Sequence, residues 1–97
     1  MPTYVILNNW TDQGIRNVKE SPKRLDATRK AIEAAGGKVL GYYLTMGRYD
    51  SVMIAEAPSD EVAATLALGA GSQGSIRTET LKAFTEDEYR KIIAKVP

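Results

Sequence analysis

Two apolar runs separated only by Gly47-Arg48-Tyr49-Asp50 constrain this chain more than any other feature. Lys38 to Met46 (KVLGYYLTM) and Asp50 to Ala57 (DSVMIAEA) are rich in the β-branched and aromatic residues that suit a pleated surface, and both read as strands. Gly-x-Tyr-Asp between them fixes a hairpin, with Gly47 supplying a positive-φ turn. The same tetrapeptide sets a phenol and a carboxylate side by side at one end of the sheet.

The flanking sequence supplies the rest of the order. Thr3 to Trp10 (TYVILNNW) reads as the first strand, and Thr11 or Asp12 caps a short helical turn carrying Ile15 and Val18. Ser21-Pro22 predicts a helix start, with Ser as N-cap and Pro at the first helical position. Leu25, Thr28, Ile32 and Ala35 recur at helical spacing until Gly36-Gly37 ends the helix in a left-handed cap. Pro58 stops the third strand, and Ser59 or Asp60 caps a second helix with Glu61 in its first turn and Val62 and Leu66 on its inner face. Residues 69–74 (GAGSQG) read as a flexible loop, and Ser75 to Phe84 as the fourth strand. Thr85 with Glu88 forms a capping box that opens a last helix bearing Tyr89, Ile92, Ile93 and Val96.

The resulting βαββαβ order plus a C-terminal helix is the ferredoxin-like pattern of the α+β class: an antiparallel sheet, spatial order 4-1-3-2, with helices on one face. A chain of 97 residues suits one domain, here residues 1–97, and buries about two thirds of its unfolded surface, so self-association adds much. Several strands are apolar on both faces. Tyr4 and Ile6 oppose Val5 and Leu7; Val39 and Tyr43 oppose Leu40, Tyr42 and Leu44; Val52 and Ile54 oppose Met53 and Ala55. A helix-free face this apolar needs a cover, and a second copy of the same face predicts a back-to-back homodimer, a dimeric α/β barrel or a higher homo-oligomer.

Composition removes whole classes of function. The net charge of +1, with acids and bases interspersed, does not make a nucleic-acid surface. The chain shows neither an 18-residue apolar run nor a charged-then-apolar leader, so a cytoplasmic location with no membrane partner is expected. It has no cysteine and no histidine, which excludes thiolate chemistry, Ser-His-Asp relays and Cys- or His-ligated metals within one chain. No metal and no cofactor are expected. Chemistry, if any, falls to carboxylate, phenol, Lys and Arg.

Thr11-Asp12-Gln13-Gly14, Gly47-x-Tyr49-Asp50, Glu56-Ala57-Pro58 and Arg77-Thr78-x-Thr80-Leu81 together resemble the GYD domain family, nearly end to end. The resemblance implies a small bacterial or archaeal ferredoxin-like domain related in architecture to dimeric α/β barrels. Such barrels include cofactor-independent oxygenases, isomerases, haem enzymes and ligand-sensing modules, so the fold alone does not select an activity.

Strand polarity nominates a site. In the order 4-1-3-2, Asn8, Asn9, Trp10, Thr45, Arg48, Tyr49, Asp50 and Arg77 gather at one end of the sheet. Asn is depleted in strands, so Asn8 and Asn9 either knit the strand end or face a ligand. Asp50 is either a base or substrate-orienting acceptor, with Tyr49 donating to a developing oxyanion, or a turn residue holding nearby backbone N–H groups. Tyr42 and Tyr43 point to opposite faces. Arg77, Glu79 and Lys82 make either an anion site or an ion pair. The expected ligand-binding set is Asn8, Trp10, Tyr49, Asp50 and Arg77. Three functions follow: a small-molecule binding module, a cofactor-free oxygenase or isomerase with Asp50 as base, and an assembly module without a site.

Overall fold

A computed structural model describes residues 1–97. The elements run β1 (Thr3–Trp10), α1 (Asp12–Arg16), a 3-10 turn (Val18–Glu20), α2 (Ser21–Ala34), β2 (Lys38–Leu44), β3 (Ser51–Glu56), α3 (Asp60–Ser72), β4 (Ile76–Ala83) and α4 (Glu86–Ala94). All three strand pairings are antiparallel, and the spatial order is β2-β3-β1-β4, the expected 4-1-3-2 read from the other edge. None of the helices is long and apolar enough to cross a membrane.

Local chemistry explains most of the boundaries. Thr11 caps α1 by accepting the Gly14 N–H at 3.1 Å, and Ser59 caps α3 through the Val62 N–H at 3.2 Å. The capping box of Thr85 and Glu88 is complete at the start of α4. Gly36 terminates α2 at φ +90°, and Gly47 turns the hairpin at φ +109°. Gly37 is required for a different reason: a methyl there would stand 2.3 Å from the Glu56 carbonyl oxygen.

Three sequence expectations are corrected. Ser21 is not the N-cap of α2; the 3-10 turn runs straight into the helix, Glu20 takes the cap position and no side chain caps it. Residues 69–74 are not a loop, because α3 continues to Ser72 and the chain turns only at Gly74, φ +88°. The preceding run of Ala and Leu is strongly helix-forming and contains no proline, which outweighs about 1 kcal/mol per internal glycine. Finally, Val39 shares a face with Tyr42 rather than Tyr43. A β-bulge lets β3 pass from Ala55 (opposite Val39) to Ile54 (opposite Gly41) while β2 spends the extra residue Leu40, and this inverts the alternation beyond it.

Ile32, Met53 and Ala55 form the buried cluster between sheet and helices, with Ile6, Leu25, Val39, Tyr42 and Leu66 packed around it. That core is thin: 10 of 97 residues are buried, and none of the large side chains is completely enclosed. On the other face, Val5 and Leu7 of β1 lie in register with Ile54 and Val52 of β3 and with Leu81 and Glu79 of β4. Tyr43, Leu40 and Leu81 are exposed there or beside it. Every residue from Phe84 to Pro97 is exposed, including the apolar stripe Tyr89, Ile92, Ile93 and Val96 of α4, and the molecule reaches 50 Å along its longest axis.

Candidate functional site: a cavity between sheet and helices

Tyr4, Ile6, Asn8 and Trp10 alternate along β1, so all four point from the centre of the sheet toward α2 and α3. With Tyr42, Met53, Thr28, Leu66 and their neighbours they line a cavity of about 470 Å³. Its walls are mainly apolar and aromatic, and the volume falls within the about 300–1,000 Å³ typical of small-molecule sites. Three charged residues, Lys23, Arg24 and Glu56, stand at its border. The Arg24 guanidinium donates to the carbonyls of Asn17 and Gly14, and Lys23 is exposed and pairs with Glu20 at 3.5 Å. Glu56 sits at the strand end opposite Thr3 and Lys38.

Five residues were expected to bind together, and the fold distributes them over separate places. Asn8 and Trp10 line the cavity. Asp50 does not; its Oδ2 accepts the backbone N–H of Trp10 at 2.9 Å, while its own N–H donates to the Asn8 carbonyl at 2.9 Å and to Asn9 Oδ1 at 3.2 Å. Tyr49 donates its hydroxyl to Glu79 Oε1 at 3.0 Å, and Glu79 stands opposite Leu7, on the alternate face of β1. That hydrogen bond, with some burial, raises the Tyr49 phenol above its ordinary range. Arg77 stands opposite Asn9 and borders a separate groove between α3 and the edge strand β4. Around Asp50 the corner is closed by further bonds: Thr45 N–H to the Asp50 carbonyl at 2.9 Å and the Thr45 hydroxyl to the Tyr49 carbonyl at 2.7 Å.

A second polar cluster escaped the sequence reading. The buried Tyr4 hydroxyl donates to Asp60 Oδ1, and Lys82 Nζ reaches Asp60 Oδ2 at 3.2 Å. Burial and the neighbouring carboxylate push the Tyr4 phenol up to about 12; the bonds from Tyr4 and then Lys82 lower the Asp60 carboxyl. The cluster ties the first turn of α3 to β1 and β4; Asp60 and Lys82 border the separate groove, and Tyr4 also lines the cavity. No local pattern announces it, since Tyr4 and Asp60 are 56 residues apart and Asp60 already has a role as a helix-start acid.

The sequence model of the GYD domain matches residues 4–93. The chain belongs to the GYD domain family. Gly47-Arg48-Tyr49-Asp50, part of the pattern that resembles the family, is thus the hairpin corner just described. Among relatives of this GYD protein, the glutamine synthetase and cystathionine beta-lyase binding protein of Thermus thermophilus is 33% identical over 85 residues, 87% of this chain and 90% of that one. Two crystal structures share the fold. That of TTHA0845, also from Thermus thermophilus, is 26% identical with a TM-score of 0.55, over 88% of this chain and 95% of that one. That of FFRP-DM1 is 22% identical with a TM-score of 0.59, over 87% of this chain and 100% of that one.

Proposed function

We propose that this GYD protein is a cytoplasmic, homo-oligomeric binding protein that holds a small organic molecule between its sheet and helices and performs no chemistry on it. The observation that carries this reading is the cavity of about 470 Å³, apolar and aromatic in its walls, from which the Asp50 carboxylate is absent. A base must reach the proton it removes, within about 3 Å or through one water. Asp50 spends Oδ2 on the Trp10 amide instead, so a proton-abstracting role for it is the weaker reading. Asn8 and Trp10 are the ligand contacts in this proposal. Tyr49 and Arg77 belong to the outer surfaces, and Asp50 holds the strand ends.

The oligomer uses the helix-free face. Val5, Leu7, Val52, Ile54, Tyr43 and Leu81 form an apolar surface that a second copy covers with the same residues, closing two sheets into a dimeric barrel. Native mass spectrometry of the protein isolated from its own host tests both parts. The expected result is an even multiple of 10.6 kDa carrying a non-covalent mass increment that denaturation removes. A monomer of bare mass would overturn the reading.

The named relative favours a second role beside this one. It is described as binding glutamine synthetase and cystathionine beta-lyase, and the exposed apolar stripe of α4 gives this chain a surface of the kind a larger enzyme could seat. The host's own glutamine synthetase and cystathionine beta-lyase are therefore the partners to titrate first. Retention on either, lost on Ile92→Asp, supports the role; no retention on either removes it.

A further inference from the structure

Inside the cavity one polar side chain is left with an open position. Asn8 is 7% exposed, and its amide nitrogen is engaged, at 3.2 Å from Ser51 Oγ and 3.5 Å from the carbonyl of Ile6. A carbonyl can only accept, so the group facing Ile6 is the Nδ2 donor and the remaining atom is Oδ1. Oδ1 accepts no hydrogen bond within the chain, yet no enclosed side-chain oxygen or nitrogen lacks a partner, so Oδ1 opens into the void that Asn8 lines. Burying an acceptor without a donor costs about 1–3 kcal/mol, so a ligand that donates there gains what a ligand that cannot donate loses.

The rest of the wall restricts the ligand further. Trp10 and Tyr42 present aromatic surface; of the basic border residues, Arg24 is bonded to two backbone carbonyls and Lys23 is exposed and paired with Glu20. An anionic ligand would shed its hydration and meet only Arg24, whose donors already serve the Asn17 and Gly14 carbonyls, and the exposed Lys23, already paired with Glu20. A cavity of about 150 Å³ accommodates benzene, so about 470 Å³ accommodates a fused-ring molecule with room for substituents.

We infer that the cavity selects a neutral, fused-ring aromatic molecule that donates one N–H or O–H to Asn8 Oδ1. This rests on the ligand-binding reading above and names its ligand class. Indole, N-methylindole and indole carboxylate are the probes: a neutral ring with a donor, the same ring without it, and the ring with a charge. Each is titrated into the full-length protein by calorimetry. The indole N–H resonance of Trp10, the single tryptophan, reports whether the probe occupies this cavity.

The expected result is that indole binds about tenfold more tightly than N-methylindole, that indole carboxylate binds more weakly than either, and that Trp10 shifts on binding. In Asn8→Leu the gap between the two neutral probes closes while both still bind. The wild-type series decides without the variant, should Leu disturb the Ser51 contact. Equal affinity for indole and N-methylindole, or preference for the carboxylate, overturns the ligand class and leaves the cavity reading standing. No binding by any of the three, with Trp10 unmoved, overturns both.

Discussion

The Asp50 carboxylate accepts the backbone N–H of Trp10 at 2.9 Å, and this single bond joins the start of β3 to the last residue of β1. It lies at the sheet end where the hairpin returns, and the Asp50 N–H returns the contact through the Asn8 carbonyl. A charge-assisted bond of this kind is stronger than a neutral one. Asp50→Ala is expected to lower stability by about 1–3 kcal/mol, read from urea unfolding at neutral pH. Asp50→Asn, whose amide oxygen still accepts, should lose less. Both variants should bind indole as the wild type does. A variant that kept full stability and lost binding would move Asp50 into the site.

Tyr4 gives the chain an alkaline limit. Its phenol is raised from 10.0 to about 12, because burial and Asp60 both favour the neutral form. A raised folded value means that the stabilisation is full below about pH 10 and is lost as pH rises through 12. Wild-type stability should therefore fall across that window, and Tyr4→Phe should remove this component of the fall. Spectrophotometric titration should find one of the five tyrosines ionising near 12 only while the protein is folded.

Asp60 gives the opposite sign. Its carboxyl is lowered, first by Tyr4 and then by Lys82, so its contribution is present above its ordinary value of 3.8 and is lost as pH falls through the lowered one. Acid unfolding of Asp60→Asn should show a shallower dependence on pH in that range than the wild type, with the midpoint followed by circular dichroism.

Two glycines should respond in opposite directions to alanine. At Gly14 a methyl would stand 1.9 Å from the Ser75 carbonyl oxygen, the same oxygen that accepts the Thr11 N–H at 3.1 Å. Backbone must move, and Gly14→Ala should destabilise by about 2 kcal/mol or more. At Gly69, exposed inside α3 with open space around it, alanine should stabilise by about 0.5–1 kcal/mol. Thermal unfolding of the pair measures both signs in one experiment.

The helix-free face should govern assembly. Ile54→Arg places a charge at its centre, opposite Val5 and Gly41, and should halve the mass seen by light scattering while circular dichroism stays unchanged. Ala64→Arg, on the exposed side of α3, is the control and should leave the mass as it was.

Legibility in the sequence followed the range of the interactions concerned. The capping box of Thr85 and Glu88 and the positive-φ turns at Gly36 and Gly47 rest on neighbours in sequence, and the strand order followed from the succession of elements that such local signals delimit. Leu40 shows where that stops: one extra residue, unmarked by any turn signal, inverted the faces of β2 and moved Tyr42 into the cavity. Strand polarity correctly brought Asn8, Trp10 and Asp50 to one end, as the bonds at Trp10 N and Asp50 N attest. It could not separate the two sides of the sheet, which parted Tyr49, bonded to Glu79, from Asn8 and Trp10.

By itself, then, the sequence determined the α+β order, the hairpin at Gly47-Arg48-Tyr49-Asp50 and the chemistry open to a chain without cysteine or histidine, because propensity, capping and composition are local quantities. Only the tertiary structure decided that Asp50 faces a backbone amide, that Tyr4 reaches Asp60 and that Asn8 keeps one oxygen open to a cavity. Those are long-range pairings, fixed by sheet register and by where α2 and α3 come to rest on the sheet.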